Sequence, residues 1–271
     1  GHPLGRPISG TKASVGRITR KDVREYFKKN YTARNTVISV AGNIRHRTVH
    51  RLAQRYFSDL APGDPADPGP PPRAHCARVV RRKPNLEQTH LCLGTLCPPI
   101  VSKDRYCVHV LSQVLGGGMS SRLFQNIREK RGLVYSIYSS LNLYRDAGTL
   151  IVYAGAAPRA ASVVIELTLK EFKRLRQELI SADELKRAKE SIKGSVMLSL
   201  ESSSSRMTHL AQQQIYYGRF FTLGEILGGI NRLTARDIRR LANEIFDSST
   251  LTLTALGSNH GRDIESVAVR V

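Results

Sequence analysis

Two stretches of this chain lie 215 residues apart and share one pattern without a gap. ITRKDVREYFKKNYTARNTVISVAGN (residues 18–43) and LTARDIRRLANEIFDSSTLTLTALGS (residues 233–258) align Thr19 with Thr234, Asp22 with Asp237, Val23 with Ile238, Tyr31 with Phe246 and Gly42 with Gly257. Each begins with a threonine N-cap and an aspartate three residues on, continues as an amphipathic helix, and ends in an apolar strand closed by a glycine turn. A single repeat at this separation marks duplicated whole domains, because solenoid arrays repeat every few tens of residues. If the second copy begins near residue 83, Thr234 lies about 150 residues into it, whereas Thr19 has eighteen residues before it. On the order of 130 residues of the first copy are then expected upstream of residue 1.

Composition agrees with this division. Six of the twelve prolines fall between Pro62 and Pro72, and so dense a run favours extended polyproline over a packed core. Residues 1–61 therefore read as the C-terminal part of a first lobe, 62–82 as a Pro-rich linker, and 83–271 as a second lobe.

Within the second lobe, residues 115–153 carry the clearest sequence of elements. Gly116, Gly117 and Gly118 end an apolar helix in a corner read as left-handed backbone. Ser120 or Ser121 is placed to cap a new helix, with Leu123, Phe124 and Ile127 on one face and Arg128, Lys130 and Arg131 in its last turn, before Gly132 stops it. From Val134 the period becomes two. Tyr135, Ile137, Leu141 and Leu143 are expected on one face of a strand, and Ser136, Tyr138, Ser140 and Asn142 on the other. A turn at 146–148 leads to a partner strand at 149–153. Elsewhere, strands are expected at 36–41, 87–96 and 250–256, and helices fill much of the remainder.

The segment GGGMSSRLFQNIREKRGLVYS resembles the second lobe of the insulinase-like (pitrilysin, M16) zinc metallopeptidases, in the branch that includes mitochondrial processing peptidase and its bacterial relatives. HPLGRPISGT, YTARNTVISVAGN and EQTHLCLGT match further blocks of the family in the same order. The resemblance implies an α+β fold: a two-lobed M16-type α/β roll, with a mainly antiparallel sheet and helices on one face, the first lobe being incomplete here. It implies that Arg128 and Tyr135 reach the backbone of a substrate peptide near the zinc. It also implies that the zinc of the complete enzyme is held by an HxxEH motif and a further glutamate upstream of residue 1. The expected partners are a peptide held in extended form by strand addition to a sheet edge, the remainder of the first lobe or a zinc-bearing M16 subunit, and a homo- or heterodimeric mate. The other reading the family allows is a non-catalytic M16-like subunit or scaffold.

Read residue by residue, the chain offers no catalytic group of its own and no metal ligand set. None of its eight histidines forms HxxEH. His46 and His50 stand four apart, as zinc-binding imidazoles do on a helix, but no glutamate lies between them to act as base. Cys76, Cys92, Cys97 and Cys107 lack CxxC spacing and read as buried free thiols, which favours a reducing compartment such as a bacterial cytoplasm. Gly116–Gly118 lack the GxxxxGK[ST] pattern of a phosphate loop. No apolar run approaches the roughly 18 residues of a membrane span. The 42 Lys and Arg against 22 Asp and Glu give a formal charge of +20. These residues are spread along the whole chain without a stacking motif or zinc finger, which fits a solvated basic surface better than a nucleic-acid-binding one.

Overall fold

The computed structural model describes residues 2–65, 69–73, 75–258 and 262–271, so part of the expected linker lies outside the described residues. The chain forms two compact units: residues 1–72 with 198–220, and residues 73–197 with 221–271.

The second unit is α+β. Its five strands are β1 (Arg78–Arg82), β2 (Thr89–Cys97), β3 (Val134–Leu143), β4 (Gly148–Ala156) and β5 (Thr252–Gly257), in the order β1-β5-β2-β4-β3. All neighbours are antiparallel except β1 and β5. Along β2 and β4 every second residue is buried, with Leu91, Leu93, Leu150 and Val152 pointing into one core. Helices cover that side: α4 (Arg105–Gly116), α5 (Ala161–Gln177) and α9 (Ala235–Ile245). Phe172 of α5 stacks on Phe246 just after α9, with ring centroids 4.2 Å apart. The residues on the other side of β2, β4 and β5 form an open face.

The first unit contains α2 (Arg20–Asn30), α3 (His46–Phe57) and α7 (Ser203–Tyr217); Ser39 donates a hydrogen bond to the Met207 carbonyl of α7 at 2.8 Å. The chain leaves the helix ending at Ser199, and Ser202 then caps α7 by accepting from Ser205 N.

The repeat is visible in backbone geometry. Thr19 and Thr234 each form a capping box with the aspartate three residues on, and Tyr31 and Phe246 end their helices at nearly equal angles, φ −89°, ψ 73° and φ −87°, ψ 70°. The environments differ. Ile238 and Phe246 are 0% exposed, while their counterparts Val23 and Tyr31 are 57% and 56% exposed. The expected strand at 36–41 does not form a ladder, although Thr36 is extended. A strand needs a neighbour to take its N–H and C=O groups. β5 has β1 and β2 for this; residues 36–41 have no such neighbour among the described residues, and Val37, Ile38 and Val40 stay exposed.

Two local expectations are corrected. Gly116, Gly117 and Gly118 are not left-handed. A Cβ on Gly116 would lie 2.5 Å from the Ser139 backbone nitrogen, so this glycine lets the end of α4 approach β3, while a Cβ on Gly117 would lie 2.4 Å from Gln113 Oε1 and 2.6 Å from Gln113 Cα, so that glycine lets the chain turn back over the last turn of α4 itself. The left-handed glycine of this region is Gly132, at φ +62°. Ser121 caps nothing, since its buried hydroxyl has no hydrogen-bond partner.

Candidate functional site

The segment between α4 and β3 departs from the α-helix that its pattern predicts. Phe124–Glu129 is a short π-helix, with Lys130 N donating to Gln125 O at 3.1 Å. Such widened turns recur at functional sites because they re-aim side chains.

Buried polar groups hold this turn in place. Arg122, just before it, donates from Nε to Glu184 Oε1 at 2.7 Å and from Nη2 to Oε2 at 3.1 Å. Its Nη1 lies 3.8 Å from the buried Glu171 and makes no hydrogen bond. Asn126, inside the turn, donates to Glu171 Oε1 at 2.8 Å, and Arg174 approaches the same carboxylate at 3.2 Å. The hydrogen bonds from Arg122 hold the Glu184 carboxyl at about 2, well below its usual 4.5, against the opposing effect of burial. Glu184 also accepts from Ser181 N at 3.0 Å, and its own N–H donates to Ser181 Oγ at 3.1 Å, which makes a capping box at the start of α6 (Ala182–Ser199).

Arg128 leaves the π-helix on the solvent side. Its guanidinium carbon is 4.9 Å from the centroid of the Phe124 ring and 6.0 Å from that of Tyr135. Tyr135 is not on the core face with Ile137. The β3–β4 register shifts between Val134 and Ser136, a bulge that leaves Tyr135 unpaired and 75% exposed, against 4% for Ile137. A bulge turns two successive side chains out of alternation. The structure thus brings Arg128 and Tyr135 together as exposed, adjacent groups able to donate hydrogen bonds.

Beside them, the open face carries polar groups that sequence reading did not single out. His90 Nδ1 is 2.7 Å from the Tyr153 hydroxyl, and Tyr138 packs on Tyr153 at 5.1 Å. Burial, with smaller effects from Tyr138 and Cys92, raises the Tyr153 phenol, which favours its neutral, hydrogen-bonding form. The signal was present in the alternation of β2, where His90 and Cys92 separate Leu91 and Leu93.

The remaining candidates lie apart from this site. His46 and His50 are exposed on α3. Of the four cysteines expected to be buried, Cys97 and Cys107 lie in the core with thiols pushed up to about 12 by burial, Cys92 is half-buried on the open face, and Cys76, ahead of β1, is exposed. Among the described residues no three His, Cys, Asp or Glu side chains come together to hold a metal, so the donor set does not fit a zinc centre. No helix among them is long and apolar enough to cross a membrane.

The second unit thus presents two exposed donors beside an open sheet face. The chain belongs to the peptidase M16 family: residues 17–192 match the model of the peptidase M16 inactive domain. It is 35% identical over 253 residues to an "uncharacterized zinc protease" of Mycobacterium leprae, covering 91% of this chain and 56% of that protein. It is 36% identical over 245 residues to an "uncharacterized zinc protease" of Bacillus subtilis, covering 90% and 59%. The chain therefore spans under two thirds of the length of these relatives. Its fold is shared by a protease from Helicobacter pylori, with TM-score 0.82, 24% identity and coverage of 91% of this chain and 61% of that one. It is shared also by a peptidase M16 inactive domain from Pseudomonas fluorescens, with TM-score 0.85, 23% identity and coverage of 94% and 62%.

Proposed function

We propose that this chain is the substrate-holding part of a zinc metalloendopeptidase, in which Arg128 and Tyr135 donate hydrogen bonds to the backbone of an extended peptide. The observation that carries the reading is the convergence of these two side chains. A π-turn and a β-bulge, both departures from regular structure, act together to present them side by side to solvent. Irregular backbone of this kind concentrates where binding geometry matters.

The zinc and its ligands belong to another portion of the protein, and this chain's role is to bind and orient. A guanidinium and a phenol place N–H and O–H donors on substrate carbonyls and stabilise negative charge that develops there. The exposed apolar positions of the first unit support a division in which residues 1–61 are the tail of a first lobe. Val23, Tyr31, Ile38 and Val40 are the counterparts of the core positions Ile238, Phe246, Leu253 and Ala255 in the second unit, so the remainder of that lobe, or a zinc-bearing M16 subunit, is the surface that covers them. The family model's own description as inactive favours, as a second reading, a non-catalytic subunit that holds peptides for an active partner. A zinc motif in the covering portion separates the two.

The binding role is tested on the 271-residue chain in the presence of a chelator, by fluorescence anisotropy with labelled twelve-residue peptides. Binding weakened about 10-fold by Arg128→Ala, with an unchanged melting temperature, supports the role. Binding that ignores both Arg128→Ala and Tyr135→Phe overturns it.

A further inference from the structure

The open face has an apolar depression far from Arg128 and Tyr135. It encloses about 240 Å³, and Gly94 is its floor. Gly94 pairs with Thr252 on one side and Ile151 on the other, and Leu96, Thr149, Arg73 and His75 form the walls. Thr252 Oγ1 donates to His75 O at 3.0 Å, which ties His75 to β5.

Gly94 differs from the other strand glycines. A Cβ on Gly148 would meet Pro98 O at 2.6 Å, one on Gly155 would meet Gln88 Oε1 at 2.6 Å, and one on Gly257 would meet Thr89 Oγ1 at 2.4 Å. Gly148 and Gly257 are required by packing against backbone atoms, and at Gly155 the end of the Gln88 side chain would have to move aside. At Gly94 the nearest atom to an added Cβ is Ile151 Cγ1 at 3.8 Å, an ordinary contact, and φ is not positive. Neither space nor backbone conformation requires a glycine here, in a central strand that glycine weakens. What its missing side chain does provide is the depression itself.

We propose that this depression is a specificity subsite that takes an apolar side chain of the peptide held by Arg128 and Tyr135, a reading that rests on the proposed function. The geometry fixes the spacing. Tyr135 lies beside the row Ser136–Gly155–His90, and Gly94 lies two rows further along and two strands across, in the row Ser140–Ile151–Gly94–Thr252. At about 3.3 Å per residue and about 4.8 Å between strands, the separation is roughly 16 Å, or about five residues of extended peptide. Arg73 at the rim favours a carboxylate next to the apolar residue.

The test uses the 271-residue chain and two labelled twelve-residue peptides that differ at one position, leucine or serine, in an otherwise Gly/Ser/Asp sequence. The natural chain binds the leucine peptide about 10-fold more tightly. Gly94→Leu, which fills the depression, and Ile151→Ser, which makes one wall polar, each bring the leucine peptide down to the serine level and leave the serine peptide unchanged. Gly94→Ala folds with a melting temperature no lower than that of the natural chain. A four-residue peptide is too short to span both places, so no such peptide responds to both Arg128→Ala and Gly94→Leu. If both peptides bind equally well, yet Arg128→Ala weakens both, the subsite is wrong and the backbone-holding role stands. If leucine is preferred equally by the natural chain, Gly94→Leu and Ile151→Ser, the depression is not its seat. Absence of binding to either peptide overturns subsite and role together.

Discussion

Replacing Arg122 by methionine removes a buried guanidinium and keeps most of the aliphatic volume. The consequence follows from what the guanidinium holds. Glu184 loses the two hydrogen bonds from Arg122 and keeps the one from Ser181 N, and the buried Glu171 keeps Asn126 and Arg174 but loses its nearby second cation. Removing one member of a buried ion pair costs about 3–5 kcal/mol, since the remaining charge stays desolvated. The pH dependence gives a sharper signature. A carboxylate whose folded-state pKa is depressed adds stability above its unfolded pKa, and that stability is lost as pH falls through the folded value. For Glu184 the gap between 4.5 and about 2 corresponds to about 3 kcal/mol. Its side chain is 24% exposed, so screening leaves about 2 kcal/mol. Urea denaturation of both proteins from pH 7 to pH 3 should show Arg122→Met less stable by about 3–5 kcal/mol at pH 7. That difference should narrow by about 1–2 kcal/mol as the pH falls from 4.5 to 3. A difference below about 1 kcal/mol at pH 7, or one that stays constant with pH, would refute the role assigned to this pair.

Three further outcomes are expected. Hydrogen exchange on the isolated chain should be faster in residues 18–43 than in residues 233–258, because the same sequence pattern is exposed in one copy and buried in the other; equal protection would mean that a partner or second copy covers the first. A thiol reagent at pH 8 should label exposed Cys76 readily and Cys97 and Cys107 only on unfolding, as burial holds the latter two near 12; rapid labelling of all four thiols in the folded chain would contradict this. Gly132→Ala should cost about 1–2 kcal/mol in urea denaturation, since φ +62° is unfavourable with a Cβ; a neutral effect would show that the turn relaxes.

The fold was readable wherever local pattern and tertiary environment agree. The capping boxes at Thr19 and Thr234, the alternation of β2 and the apolar stripe of α4 required only neighbours in sequence. The strand expected at 36–41 fails because its backbone groups have no ladder partner, a condition that no local pattern contains. Tyr135 was placed on the core face because strict alternation assigns it there, and the bulge that moves it out depends on how β4 pairs with β3. Arg128 and Tyr135 were paired all the same, since that expectation came from the family resemblance and not from the face assignment, and their exposed juxtaposition is compatible with it. Gly94 was not singled out because a strand glycine looks the same in sequence whether packing forbids a side chain or leaves the space open; only the surrounding atoms distinguish the two.

The central claim is that Tyr135 acts on substrate through its hydroxyl and is not part of the core. The most direct measurement is kcat/KM of Tyr135→Phe in the complete enzyme, assembled with its zinc-bearing portion, alongside the melting temperature. The phenyl ring is kept and one hydrogen-bond donor is removed, so kcat/KM should fall by roughly 10- to 1000-fold with no change in melting. An unchanged kcat/KM for Tyr135→Phe, together with unfolding of the lobe by Tyr135→Ala, would show that the tyrosine is structural and would contradict the account.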